Sequence, residues 1–192
     1  MARVGVLALQ GDVREHTSML ERVGADVVAV RTPEQLDGLD GLVIPGGEST
    51  TIAYLMTTSG IRPVLERKID DGLSIFGTCA GLILLANEVL DGRSDQWSFG
   101  VLHIAVRRNG YGRQTSSFET LVNVRGVGEI PGVFIRAPKI ETWTDDLEVL
   151  AFHDHGDGRH PVLVRRERFW GCSFHPELTN DERIHRLFVD AL

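Results

Sequence analysis

The chain has 192 residues, 42% of them hydrophobic and 24% charged, with a net charge of -7. This composition fits one ordinary folded domain spanning residues 1–192 and excludes a disordered chain. The acidic balance, with Lys and Arg scattered rather than striped, argues against nucleic acid or an anionic membrane as the main partner. No apolar run approaches the roughly 20 residues of a membrane span, and the opening MARVGVLALQGD lacks the pattern of a signal peptide. Two cysteines, Cys79 and Cys172, are too few for a disulfide framework, so the expected compartment is the reducing cytoplasm.

The run Arg3–Leu9 reads as a strand buried on both faces. A helix follows, with Val13, His16, Met19, Leu20 and Val23 at helical spacing, Asp12 as its cap and Gly24 as its stop. Asp26–Val30 and Gly41–Ile44 are further buried strands, and helices are expected at about Thr50–Thr57 and Arg62–Asp71. LSIFG is the next strand, and AGLILLANEVL reads as the helix after it. The alternation predicts an α/β fold of three layers, a mostly parallel sheet flanked by helices. Beyond Asp91 the texture changes to short strand-like runs: FGVLHIAVRR, SFETLVNV, GVFIRA, LEVLAF, PVLVRR and FWGCSF. Some are expected to complete the sheet and others to form a small antiparallel patch. A final helix, about Asp181–Ala191, carries Ile184, Leu187, Phe188 and Ala191 on one side.

GTCAG at Gly77–Gly81 is a cysteine version of the nucleophile elbow. A sharp strand-to-helix turn projects the central side chain above the sheet edge, and flanking glycines avoid collisions at the bend. A helix starting near Ala80 points free N–H groups at the sulfur, an arrangement that in general favours the thiolate, the nucleophilic form. The alternative is a small buried hydrophobe in a glycine-rich turn. The elbow needs a base.

CSFHPEL supplies one. His175 precedes Pro176, and a residue before proline is pushed out of the helical region. In extended chain, positions i and i+2 project to the same side, so Glu177 reaches one imidazole nitrogen while the other faces a nucleophile. A carboxylate so placed fixes the tautomer and stabilises the imidazolium. The bland alternative is a surface His-Pro-Glu turn. IPGGESTT follows a strand and opens a helix, with Ser49 or Thr50 as caps. Such a loop beside the elbow can hold the oxygen of a tetrahedral intermediate, with the Ala80 N–H as second donor. A phosphate loop is excluded, since no G-x-x-x-x-G-K-[ST] pattern occurs.

Together PGGES, GTCAG and HPE resemble the class I (triad) glutamine amidotransferases, whose sheet is flavodoxin-like. GVLALQGDVREH, LDGLVIPGGESTTI, GTCAGLILLA, YGRQTSSFE, FIRAP and GCSFHPELT narrow the likeness to the glutaminase subunits of pyridoxal 5′-phosphate synthases, covering Gly5 to Thr179. The resemblance implies that Cys79 attacks the carboxamide of L-glutamine, with His175 and Glu177 completing the triad. It implies glutamine contacts at Gly47, Glu48, Ser49, Arg108, Ile135 and Arg136, and an oxyanion N–H at Gly47. An arginine suits the α-carboxylate of glutamine, although Arg108 also reads as a solvated strand-end charge. Gln10 reads either as a support of the oxyanion loop or as a turn residue.

The resemblance further implies a hetero-oligomeric complex with a separate synthase subunit that takes the ammonia directly, with pyridoxal phosphate a product and no cofactor in this chain. A different amidotransferase, such as one feeding imidazole glycerol phosphate synthesis, shares the triad; YGRQTSSFE and FIRAP discriminate. An unrelated cysteine hydrolase and an inactive scaffold are the remaining alternatives. The loop AFHDHGDGRHP departs from the family pattern with His153, His155 and His160; it reads as a solvated hairpin, and no metal is expected.

Overall fold

Runs such as GLVI and FWGC offer no polar position on either face, and strands of that kind are stable only between two covering layers. In the computed structural model, which describes every residue except 94, 111–116, 155 and 157, both runs are buried throughout. The strands are β1 (Arg3–Leu7), β2 (Asp26–Val30), β3 (Gly41–Ile44), β4 (Ser74–Thr78), β5 (Ala86–Val89), β6 (Leu102–Arg107), β7 (Ser117–Val124), β8 (Gly128–Ile135), β9 (Lys139–Trp143), β10 (Glu148–Asp154), β11 (Arg159–Arg166) and β12 (Phe169–Cys172). The helices are α1 (Val13–Arg22), α2 (Ser49–Thr58), α3 (Ile61–Asp70), α4 (Ala80–Leu85) and α5 (Arg183–Asp190).

Nine strands form the main sheet in the order β2-β1-β3-β4-β12-β11-β10-β7-β8. The first five are parallel, in the flavodoxin-like order with β12 in the fifth place. From β12 onward the pairing turns antiparallel, and β5, β6 and β9 make a separate small sheet. Successive side chains divide between two cores. Leu42, Ile44 and Ile75 pack with α2, α3 and α4, whereas Val43 and Phe76 join Leu20 of α1 and Ile184 and Phe188 of α5. This is the period-2 alternation of a strand covered on both faces.

The second half contains the differences from expectation. AGLILLANEVL is not one helix: α4 stops at Leu85, and Ala86–Val89 leaves as β5 to pair with β6. The six residues of α4 are all buried, while Asn87 and Glu88 are exposed, so the burial that favours the helix ends with its apolar stretch. KIETW, absent from the expected strands, is β9, recruited by antiparallel pairing with β6. Of the motif YGRQTSSFE, residues 111–116 lie outside the described residues, and Ser117–Glu119 open β7. His153 and His160 face each other across the β10–β11 hairpin, and His155 lies outside the described residues.

Candidate functional site

In a parallel sheet the crevice beyond the carboxyl ends of the strands, where strand order reverses, is the natural ligand site. Here the loops after β1, β3, β4 and β12 all deliver side chains to that end. Cys79 joins β4 to α4 with φ 48° and ψ -101°, a strained conformation for a residue with a side chain. The glycines of the elbow are there for space. A Cβ on Gly77 would lie 2.5 Å from the Gly81 backbone, and one on Gly81 would lie 2.1 Å from the Ile44 carbonyl oxygen. Strand, elbow and helix therefore touch through backbone alone. The Cys79 N–H donates to the Cys172 carbonyl at 2.8 Å, and its Sγ lies 3.9 Å from the Ile135 carbonyl oxygen.

His175 arrives from the turn after β12, anchored by its N–H to the Val133 carbonyl at 2.8 Å. It avoids helical geometry before Pro176, as expected, but Pro176–Leu178 is a short 3-10 turn rather than extended chain. That turn still brings Glu177 onto the ring: Nδ1 donates to Glu177 Oε1 at 2.8 Å. Gly46 makes room for the imidazole, since a Cβ there would stand 2.4 Å from its Cε1. A second carboxylate, Asp12 Oδ2, lies 3.3 Å from the same Nδ1. Asp12 was expected only as the cap of α1; it occupies that position without a side-chain capping bond, because its carboxylate is turned to His175.

Burial opposes a charge on His175, but hydrogen bonding with Asp12, Cys79 and Glu177, together with the charge of Glu177, prevails and pushes the imidazole up to about 12. Burial pushes the Glu177 carboxyl up, while its hydrogen bond to His175 and the charge there pull it down. The shared proton therefore belongs to the imidazole, the group with several acceptors around it. Of the two thiols, Cys172 is sealed in the core, where burial pushes it well above the ordinary range; Cys79 faces the cavity.

The oxyanion-type loop is shaped as a scaffold for N–H groups. Gly47 takes φ +152°, and a Cβ there would sit 2.5 Å from Gln10 Oε1. That oxygen accepts the Glu48 N–H at 2.8 Å, so Gln10 supports the loop. The cap of α2 is Glu48, not Ser49 or Thr50: its carboxylate accepts the N–H groups of Thr50 and Thr51 at 3.2 and 2.7 Å. Partial burial opposes its charge, but these bonds and the two threonine hydroxyls hold it down at about 2. Arg108 Nη2 donates to Glu48 Oε1 at 3.1 Å, and Nη1 to Gln96 Oε1 at 3.4 Å; Gln96 in turn donates to Ser49 Oγ at 3.1 Å.

These groups enclose a cavity of about 250 Å³ lined by Gly47, Glu48, Ser49, Cys79, Arg108, Ile135, Arg136 and His175, together with Asp12, Ile83, Asn109 and Leu178. Eight of the sequence-predicted residues thus share one chamber. Glu177 stands behind His175, Gln10 under the loop, and Ala80 starts α4, where its N–H has no acceptor within the helix. Among the described residues, Asp12, His175 and Glu177 alone cluster as metal ligands would, with donor atoms within 4.8 Å.

Across residues 6–192 the chain matches the sequence profile of the SNO glutamine amidotransferase family. The chain belongs to that family. Within it, the chain is 52% identical over 98% of its length to a Streptomyces avermitilis protein named pyridoxal 5′-phosphate synthase subunit PdxT, covering 93% of that protein. It is 49% identical over 98% of its length to the protein of the same name from Salinispora tropica, covering 96% of it. A crystal structure of a glutamine amidotransferase superposes with a TM-score of 0.90 at 49% identity, covering 98% of this chain and 97% of the other. Sequence reading missed Asp12, Gln96 and the buried His16 and His185 beside this amidotransferase site. Helical periodicity placed His16 on the inner face of α1, but nothing in it showed which polar groups would meet there.

Proposed function

We propose that the chain is the glutaminase subunit of a pyridoxal 5′-phosphate synthase. L-Glutamine enters the cavity with its α-carboxylate toward Arg108 and its carboxamide toward Cys79. The thiolate of Cys79 attacks the carboxamide carbon, and the tetrahedral oxygen turns to the N–H groups of Gly47 and Ala80. His175, charged and held by Glu177 and Asp12, gives its proton to the nitrogen as the C–N bond breaks. Ammonia leaves and a glutamyl thioester remains. The now neutral imidazole takes a proton from water, hydroxide attacks the thioester, and glutamate departs with the thiolate restored. One glutamine and one water give one glutamate and one ammonia.

The observation that carries this reading is the convergence of Cys79, His175 and Glu177 on one cavity wall opposite Arg108 in a chain of this family. Relatives near 50% identity over nearly the full chain carry the synthase-subunit name, which favours it over the glutaminase of imidazole glycerol phosphate synthesis. Free ammonia is protonated in neutral water and lost as a nucleophile, so the product is handed to a synthase subunit within a complex. A reducing cytoplasm suits a thiol nucleophile, and both cysteines are free. No helix among the described residues is long and apolar enough to cross a membrane.

The test is ammonia release from glutamine with and without the synthase subunit, following glutamate in parallel. Equimolar ammonia and glutamate that appear on adding that subunit support the reading. Equal stimulation by an imidazole glycerol phosphate cyclase supports the rival.

A further inference from the structure

Behind the candidate triad lies a polar cluster that the glutaminase reading, on which this inference rests, leaves unused. His16 on α1 and His185 on α5 are both wholly buried. His16 Nδ1 and His185 Nε2 are 2.9 Å apart. The other ring nitrogen of His16, Nε2, lies 3.0 Å from Thr78 Oγ1 and 3.5 Å from Glu177 Oε2. Phe76 stands edge-on to both rings, at 6.5 Å from His16 and 6.0 Å from His185, and walls the pair from the sheet side.

Burial, and then the neighbouring imidazoles of His185 and His175, hold His16 well below its usual range, and burial brings His185 down to about 4. Each ring is therefore neutral near pH 7 and carries one N–H. Two tautomeric arrangements satisfy the 2.9 Å contact. In one, His16 donates from Nδ1 to His185 Nε2; the His185 proton must then sit on Nδ1, which has no hydrogen-bond partner among the described residues, and His16 Nε2 turns a lone pair toward the Glu177 carboxylate. In the other, His185 donates from Nε2 to His16 Nδ1, its own Nδ1 is a bare lone pair, and His16 carries its proton on Nε2. A buried N–H without an acceptor costs more than an unpaired lone pair, and two facing lone pairs repel. The second arrangement wins on both counts.

We propose that His185 fixes His16 as the Nε2–H tautomer, and that this N–H braces the Thr78 hydroxyl and the Glu177 carboxylate together. His16 is then a positioning residue. Thr78 immediately precedes the strained Cys79, and Glu177 orients His175, so one imidazole joins the mount of the nucleophile to the mount of the base. The oxygen it faces, Glu177 Oε2, has no hydrogen-bond partner among the described residues, while Oε1 is taken by His175.

The first measurement is the ¹⁵N spectrum of the full chain labelled at histidine. His16 and His185 are expected as neutral Nε2–H tautomers at pH 7; His16 protonated at Nδ1 overturns the proposal whatever the enzyme does. The second is glutamine turnover in the complex with the synthase subunit. His16→Leu keeps most of the bulk and removes the N–H; kcat is expected to fall about tenfold with KM within twofold, since His16 does not line the glutamine cavity. His16→Gln, whose amide nitrogen reaches the Nε2 position, should recover most of that loss. Wild-type kcat in folded His16→Leu, or no recovery in folded His16→Gln, overturns the proposal. Should His16→Leu fail to fold, His185→Phe serves: a mixed His16 tautomer with lowered kcat supports the brace, and an unchanged Nε2–H signal with unchanged kcat removes it. A wild-type complex that releases no ammonia would instead sink the glutaminase reading, and the tautomer result would stand apart from that failure.

Discussion

Gly46→Ala adds one methyl group to the loop after β3 and isolates the position of the His175 ring from its chemistry. Gly46 is not among the residues with positive φ, so alanine suits the backbone there. The new Cβ would lie 2.4 Å from His175 Cε1, 2.9 Å from its Nδ1 and 3.0 Å from Asp12 Oδ2. Ordinary contact begins at 3.4 Å, so the ring must retreat by about 1 Å, and a displacement of that size at a reacting group costs on the order of a hundredfold in rate. In barrier height this is about 2.7 kcal/mol. The imidazole cannot swing aside freely, because it is only 4% exposed and tied to Glu177 at 2.8 Å. Glutamine-dependent ammonia release in the synthase complex should therefore show kcat down about a hundredfold and KM nearly unchanged, since Arg108 and Glu48 do not touch the added methyl. A folded Gly46→Ala protein with kcat within twofold of the parent would refute the placement of His175 as the base.

At Gly81 the same change meets backbone rather than a ring: its Cβ would sit 2.1 Å from the Ile44 carbonyl oxygen, so Gly81→Ala should fail to reach the native fold, read as loss of a cooperative thermal transition. Cys79→Ala should leave the melting temperature close to that of the parent and lower ammonia release at least about a thousandfold; residual turnover at the parental rate would remove Cys79 as nucleophile. Arg108→Ala deletes the charge-assisted partner proposed for the glutamine carboxylate and should raise KM about tenfold to a hundredfold with a smaller change in kcat. His185 predicts a pH dependence of stability. Burial lowers it from 6.5 to about 4, so the unfolded chain binds a proton there that the folded chain refuses. Its contribution is complete above pH 6.5 and is lost as pH falls toward 4, by up to about 3 kcal/mol. Denaturant melts of parent and His185→Phe over that range should converge in acid relative to neutral pH; parallel curves would contradict the buried neutral imidazole.

The first ninety residues were legible because their strands are apolar on both faces and their helices periodic, so β1 to β4 and α1 to α3 fall within about two residues of the expected places. The second half was less so. Ala86–Val89 continues a helical pattern locally, yet parallel pairing with β6 pulls it into a strand, and KIETW becomes β9 only because β6 offers an edge. At the site, local motifs announced Cys79, His175, Glu177 and the loop at Gly47, since elbow, pre-proline turn and glycine pair each leave a mark within a few residues. Asp12 left a misleading one: an acidic residue before a helix reads as a cap, and its real partner, His175, lies far along the chain.

Chemistry encoded over short spans was thus open to inspection in the linear order of residues: a thiol in a glycine-flanked bend, and an imidazole two places before a carboxylate. Which distant groups meet was not. The approach of Asp12 to His175, of Arg108 to Glu48, and of His16 to both His185 and Thr78 depends on how layers stack and strands order themselves. Those contacts bridge segments with no periodic relation to one another, and burial, which sets the charge each group will carry, exists only once the layers have closed.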